Sequence, residues 1–452
     1  MTGVSFLAAF VVAIALMIVM IARLRVHPFL AIMAISLVLA LLAGLPLNDI
    51  PGIIGSGFSS TFTSIGIVII FGAFIGAVLE KTGAAFKLAD LVIRLVGEKN
   101  PTLALELMGW VVSIPVFCDS GFVVLDPVRK AMVRRTKVSS VAMTLCLSCG
   151  LYVSHVFIPP TPGPIAAAQA LGVGENLLLV MGIGALCSLF PMIAGYLFAR
   201  YAGARLKSKE EIGEGNDIIP TYQEVKSSLG PLPGTADALA PLVLPIILMA
   251  FGSMASMAGW DGFCGDLLRF LGSPIMALAA GAVMAIIQLF HSGKGDDFFS
   301  LTDGTLKTVG PILFVTAAGG VLGKVIASSD LVAYISSHSS GMQALGIFFP
   351  FILASILKTA QGSSTVAITT TAGIVAPLLP ALGLVSPVEV SLAIMAIGAG
   401  AMTVSHANDS YFWVVTTFGG IKAQDGYRSQ TMLTLVIGLA AMLEIFILRL
   451  VF

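Results

Sequence analysis

Residues 153–164 read Val153-Ser154-His155-Val156-Phe157-Ile158-Pro159-Pro160-Thr161-Pro162-Gly163-Pro164, at the end of an apolar run that begins near residue 139. Four prolines in six residues cannot continue a helix, because each lacks an amide hydrogen and crowds the carbonyl of the turn before it. The run is therefore a helix that unwinds and leaves carbonyls and amides without helical partners. If the run lies in a bilayer, such backbone persists only where it is buried in protein or lines a water-filled cavity. The plain alternative is a helix that ends at the outer surface.

Composition places the run in a bilayer. Over 452 residues, 57% are hydrophobic and 11% charged, whereas soluble domains average about 25% charged. Apolar stretches of spanning length, roughly 17 to 25 residues, recur from end to end and leave no room for a sizeable soluble domain. The formal net charge of zero gives no footprint for nucleic acid; the lipid bilayer is the expected partner. Val4 to Met20 has no basic residue before it and Arg23 and Arg25 after it, so it reads as a retained span starting outside rather than a cleaved signal. Cys118, Cys146, Cys149, Cys187 and Cys264 lie in or beside apolar runs and form no disulfide framework. Cys146 and Cys149 have a C-x-x-C spacing without a βαβ context, so they read as small packing residues.

Spans are expected near 4–20, 28–46, 63–79, 139–157 and 177–200, then 238–256, 275–290, 310–327, 388–404 and 431–448, about ten transmembrane helices. Two further apolar stretches, near 101–127 and 344–380, are interrupted by polar clusters and read as re-entrant hairpins. Arg23, Arg25, Lys81, Lys87, Arg94, Lys99, Arg129, Lys130, Arg134, Arg135 and Lys137 fall on one side, which is then cytoplasmic. Lys207, Lys209, Lys226, Lys294, Lys307, Lys422 and Arg428 join them, while Arg269 and Lys324 fall on the other side. The foot loops 327–343 and 381–388 contain no Lys or Arg and are assigned outside, so the two hairpins enter from opposite faces.

The halves also match each other. Gly72 and Gly76 answer Gly319 and Gly323, Asp119 answers Ser364, and Val153-Ser154-His155 answers Val404-Ser405-His406, at shifts of 247, 245 and 251 residues. The expected fold is thus an all-α integral membrane protein with an inverted-topology repeat: residues 1–200, a cytoplasmic linker at 201–236, and residues 237–452. Duplications of this kind mark secondary transporters, with the substrate site at the midplane between repeats.

Polar residues at that depth are functional candidates by default. Asp119, Ser120 and Gly121 sit in the first hairpin, where Ser120 and Gly121 allow a tight turn; Asp119 is a candidate proton carrier or, alternatively, a helix cap. Ser154, His155, Pro160, Thr161 and Gly163 occupy the unwound stretch, whose half-helix start suits an anion. In the second hairpin, Lys358, Gln361, Gly362, Ser363, Ser364 and Thr365 form a nest of donors for a carboxylate or polyol, followed by Thr369, Thr370 and Thr371. Lys358 either binds an anion, pairs with a site carboxylate or snorkels. His406, Asn408, Asp409 and Ser410 follow Ser405 at the end of the ninth span, with Asp409 and His406 as further titratable groups. No metal or cofactor site is read. His291-Ser-Gly-Lys-Gly-Asp-Asp297 lacks the residues of a phosphate-binding loop, Gly72 and Gly76 read as helix packing, and Asp126 beside Arg129 reads as a local ion pair.

At these clusters the sequence resembles the gluconate permease family of sugar-acid:proton symporters, part of the wider ion-transporter superfamily. The matching pieces are Phe117 to Phe122, Pro159 to Pro164, Gln361 to Ala367 and Ser405 to Ser410, spread over essentially the whole chain. The resemblance implies import of gluconate or a related small sugar acid, or D-serine, driven by protons at the inner membrane, by a homodimer with a static scaffold and a moving hairpin-bearing part. Asp119 stands where typical gluconate carriers have Glu, and Tyr411 where a small residue commonly follows; either could reshape the pocket. A Na⁺-coupled carboxylate carrier is the alternative within transport. An intramembrane enzyme is disfavoured, since Ser154 and His155 are chain neighbours not aimed at one another, and the opposed hairpins disfavour a passive channel.

Overall fold

The computed structural model describes residues 4–88, 100–136, 138–212, 232–257, 259–329, 345–406 and 408–452. Arg94, Lys99, Lys137 and Lys226, most of the 201–236 linker and most of the 327–343 foot loop lie outside the described residues. Every regular element within them is helical. The first half gives α1 (Val4–Ala22), α2 (Pro28–Leu42), α3 (Ile50–Thr82), α4 (Pro101–Val112), α5 (Cys118–Thr136), α6 (Ser140–Phe157), α7 (Pro162–Ala170), α8 (Leu177–Leu186), α9 (Leu189–Gly203) and the short α10 (Lys209–Ile212). The second gives α11 (Thr235–Met257), α12 (Phe263–Gly272), α13 (Pro274–His291), α14 (Phe298–Ala327), α15 (Phe348–Gln361), α16 (Ser364–Val375), α17 (Pro387–Met402), α18 (Ser410–Phe418), α19 (Ala423–Gly426) and α20 (Met432–Val451).

Six helical stretches are long and apolar enough to cross a membrane among the described residues. Their outward faces stay apolar, with Ile193, Leu197, Ile247, Val283 and Leu443 all exposed, as lipid contact requires and water contact would penalise. α6 is the innermost helix, buried along its whole length, and packs on α17, which is buried from Val390 to Met402. α4 lies on α6 and α15 on α17, while α9 and α20 flank the same pair. A second group joins α3, α14, α13 and α2.

Small residues set how closely these helices approach, because between lipid-exposed helices packing rather than dehydration drives association. A Cβ on Gly150 would fall 1.9 Å from the Glu106 carbonyl of α4, and one on Gly400 would fall 2.3 Å from the Phe351 carbonyl of α15. Gly72 and Gly76 pack on backbone rather than on a neighbouring helix, the former against Pro160 and the latter against Pro115.

Two helices begin earlier than hydropathy indicates: α3 starts at Ile50 rather than 63, and α14 at Phe298 rather than 310. The extra turns of α3 are rich in Gly, Ser and Thr, and their hydroxyls are satisfied within the helix by bonding back to the preceding turn, Ser56 to Ile53 O at 3.0 Å and Thr63 to Ser59 O at 2.9 Å. The span expected at 177–200 is interrupted at Cys187–Ser188, and α12 is a short helix that hydropathy did not reveal. Arg269, which sits on the face opposite most cations in the sequence reading, pairs with Asp266 of the same helix at 2.8 Å.

α5 runs to Thr136, beyond the expected hairpin end at 127, and its charges at Asp126, Arg129 and Lys130 are paired within the protein. Arg129 is fully buried. Its Nε donates to Asp126 at 2.7 Å and its Nη2 to Glu210 of α10 at 2.8 Å, with a further bond to the Phe418 carbonyl at 3.2 Å. The Asp126–Arg129 pair is therefore part of a clasp that also holds Ser140 at the start of α6, which donates to Glu210 at 2.6 Å. Glu211 accepts the Ser140 amide, and the Lys209 amide donates to Gly420 O at 2.8 Å. Burial works against the charge on Glu210, but Arg129 and Ser140 outweigh it and hold this carboxyl below its ordinary value. A depressed carboxyl stabilises the fold above its unfolded value and loses that contribution as the pH falls through the folded one. Glu210→Gln should therefore lower the melting temperature of detergent-solubilised protein at pH 7, and the gap from wild type should close as the pH is brought below about 4. Equal melting at pH 7 would show that the clasp contributes nothing.

Candidate functional site

Four chain interruptions meet beside α6 and α17. The first is Ser113–Phe117, between α4 and α5. Ser120 and Gly121, expected to form the turn, are instead helical in the first turn of α5. The turn falls earlier because Pro115 stops α4, and Gly121 serves packing: a Cβ there would meet Leu151 Cδ2 at 2.7 Å. The second interruption, Ile158–Thr161, ends α6 where the proline run requires it. The third is Gly362–Ser363, between α15 and α16. The fourth, Thr403–Asp409, divides α17 from α18 without Gly or Pro, and there Val404 adopts φ +59°. That conformation is costly for a β-branched residue, and the next amide, Ser405 N, is held by Thr434 Oγ1 of α20 at 2.9 Å.

Lys358 and Asp409 form the centre. Their Nζ and Oδ2 are 2.5 Å apart, with the two side chains 0% and 6% exposed. Lys358 also donates to the Gly362 carbonyl. Asp409 Oδ2 accepts from Ser405 Oγ at 2.5 Å, and Oδ1 caps α18 by accepting the Tyr411 amide at 3.0 Å. Lys358 is thus an internal counter-ion, with its ammonium lying 5.8 Å from the Tyr152 ring centroid. Gly362 has φ +90°, and a Cβ there would fall 2.1 Å from the Asn408 carbonyl. Only glycine lets the two chain segments touch.

The remaining candidates gather around this pair. Asn408 Nδ2 and His406 Nε2 both reach the Thr359 carbonyl, at 2.9 and 3.1 Å. Ser410 Oγ donates to Asp119 Oδ1 at 3.3 Å, tying α18 to the start of α5. Asp119 is partly buried, and Cys118 Sγ lies 3.9 Å from its other oxygen. Ser120 faces Glu80 of α3. Ser363 caps α16 by accepting the Val366 amide at 3.3 Å, and Ser364 is hydrogen-bonded with Tyr152. Thr365 is buried on the same first turn. Gln361 ends α15, and its side chain lies outside the described residues.

The unwound stretch contributes less directly. His155 is buried with its ring 5.9 Å from that of Phe117. Thr161 turns its hydroxyl back to the Ile158 carbonyl at 2.7 Å. Pro160 packs on Gly72 and, with Pro159, lines a small apolar cavity of about 30 Å³. Gly163 faces Ile368 of α16, more than a turn beyond Ser364.

Ser154 Oγ, His155 Nδ1, Thr370 Oγ1 and Thr371 Oγ1 are buried without a hydrogen-bond partner among the described residues. Buried polar atoms are seldom left so, and these four lie on α6 and α16, the helices that flank the pair. Tyr411, expected to alter a pocket, instead packs in the core 5.0 Å from Tyr152, its hydroxyl donating to Ser148 O at 3.1 Å. Tyr152, Glu80 and Thr434 are partners that sequence reading missed; a tyrosine two residues before Ser154 in an otherwise apolar helix was the available signal.

An all-helical body of long apolar helices, interrupted where its polar residues converge, is that of a multi-pass membrane transporter and not of an enzyme. Residues 5–451 match the GntP family permeases, and the chain belongs to that family. It is 33% identical to an uncharacterized permease of Haemophilus influenzae over 91% of this chain and 85% of that one. It is 28% identical to a gluconate permease of Pseudomonas aeruginosa, over 96% of this chain and 95% of that one. The fold is shared with the YdaH transporter of Alcanivorax borkumensis, at a TM-score of 0.65 and 16% identity, covering 94% of this chain and 97% of that one.

Removing one member of a buried ion pair strands the other, at a cost of about 3–5 kcal/mol, whereas replacing both is far milder. Lys358→Met should therefore lower the melting temperature of the purified protein sharply, and Lys358→Met with Asp409→Asn should recover most of the loss. Single and double variants that melt together would mean the pair is not a structural unit.

Proposed function

We propose that the protein imports gluconate or a related small sugar acid across the inner membrane, coupled to protons that bind at Asp119. The observation that carries this reading is the difference between two carboxylates in one network. Asp409 has Lys358, Ser405 and the Tyr411 amide, while Asp119 has one hydroxyl at 3.3 Å and a thiol. Lys358 cancels Asp409, so of these two carboxylates the one left without a cation is Asp119. An ionised Asp119 repels an incoming carboxylate, and a protonated one does not. Binding of the anion is then linked to binding of a proton, the requirement for symport.

The helix starts supply the attraction. α5, α16 and α18 each begin at this network, and each leaves amides unsatisfied by its own helix. With Lys358 engaged, the carboxylate falls to the first amides of α16 and to Ser364, and the hydroxylated tail to Asn408 and Asp119. The relatives named gluconate permease favour this substrate class, and a relative named as an inner membrane permease favours the location.

The reading includes an inverted-topology duplication in which α4/α5 and α15/α16 are re-entrant hairpins, because each pair precedes a broken helix, α6/α7 or α17/α18. It also includes the homodimer that the family resemblance implies.

Asp119→Asn should lose accumulation above the external concentration while keeping counterflow exchange, measured with radiolabelled gluconate in proteoliposomes under an imposed pH gradient without sodium. Full gradient-driven uptake by that variant would move the proton elsewhere, and uptake that requires sodium would overturn proton coupling altogether. Asn408→Ala should reduce discrimination between gluconate and a deoxy analogue by about tenfold, the worth of one hydrogen bond, with D-serine as a further competitor. Ser364→Ala should instead weaken all carboxylates alike, and a reversed pattern would reverse the orientation of the substrate.

A further inference from the structure

A cavity of about 310 Å³ lies between α3, α7, α14 and α16, separate from the Lys358–Asp409 network. Its polar lining consists of Ser60, Gln169, Thr316, Lys324 and Thr369, and among the described residues it holds one cation and no carboxylate. Lys324 is exposed, and its stem passes α3 at Gly57, where a Cβ would fall 3.0 Å from Lys324 Cβ. A lysine in the last turn of a helix is ordinarily explained by the helix dipole. Here it also supplies the charge of a concave surface furnished with hydroxyls and an amide.

The position connects this cavity to the site. Thr369 is five residues along α16 from Ser364, about 7–8 Å at helical rise. Lys324 lies near the opposite end of α14 from Asp297, which pairs with Lys81 at 2.9 Å. That separation is about 40 Å of helix, and in the sequence reading Lys81 is cytoplasmic. The cavity therefore opens on the external end.

We propose that this cavity is an outer subsite in which Lys324 takes the carboxylate of an incoming sugar acid before it reaches the α16 start. The inference rests on the sugar-acid reading above. A cation in a concave, partly enclosed mouth concentrates anions and orients them with the carboxylate leading, and the hydroxyls of Ser60, Thr316 and Thr369 and the amide of Gln169 match a hydroxylated tail.

The test uses the full chain in proteoliposomes, with gluconate as the probe presented from either face. Lys324→Gln should raise the half-saturating concentration for external gluconate about three- to tenfold, as expected for one partly exposed charged contact. Its maximal rate and its half-saturation from the internal face should be unchanged, and Lys324→Arg should restore the external value. In a second readout, Ser60→Cys in a Cys264→Ser background, which keeps Lys324, is labelled from outside with a maleimide, and gluconate should slow that labelling. Unaltered external half-saturation in Lys324→Gln, an equal rise from both faces, or labelling indifferent to gluconate would each overturn the subsite while leaving sugar-acid transport standing. Wild-type protein that takes up neither gluconate nor related acids would overturn the sugar-acid reading itself, and the subsite with it.

Discussion

The ammonium of Lys358 and the carboxylate of Asp409 are withdrawn from water together, and neither tolerates that environment without the other. Their pairing fixes the tip of α15 against the start of α18, two segments separated by 51 residues. Once they are joined, Gly362 must touch Asn408 backbone to backbone, the α18 cap is set, and Ser410 reaches Asp119 on α5. The remaining polar contacts follow from that one geometric demand. It also separates the two acids: Asp409 is satisfied from three sides, whereas Asp119 has one hydroxyl and a thiol.

Much of this was legible in the sequence because membranes penalise polarity so heavily. The proline run at 159–164 ended α6 where expected, since no packing arrangement restores a missing amide hydrogen. The polar run Ser405 to Ser410 marked a break without any helix breaker, because unpaired backbone and buried side chains at that depth require one another. Lys358 was read as anion ligand, counter-ion or snorkelling cation, and only three dimensions put Asp409 beside it.

Other features were hidden for physical reasons. The Gly/Ser/Thr-rich start of α3 reads as a loop by hydropathy, yet its hydroxyls are satisfied within the helix itself. The turn before α5 was placed at Ser120 and Gly121 because those residues favour turns, while Pro115 decided the matter upstream. Tyr411 was judged by its size alone; its direction, into the core beside Tyr152, depends on partners from α6 that no local pattern records. Arg129 looked like the margin of a cytoplasmic loop because, Asp126 apart, its partners are distant in the chain.

That distance bears on how the molecule is made. Arg129 emerges early in synthesis beside Asp126, but its second carboxylate, Glu210, comes 81 residues later and the Phe418 carbonyl 289 residues later. Until both exist, the donors that Nη1 and Nη2 direct at them in the finished protein have to be satisfied by water. The foot of α5 thus cannot make its full set of contacts until residue 418 has been synthesised.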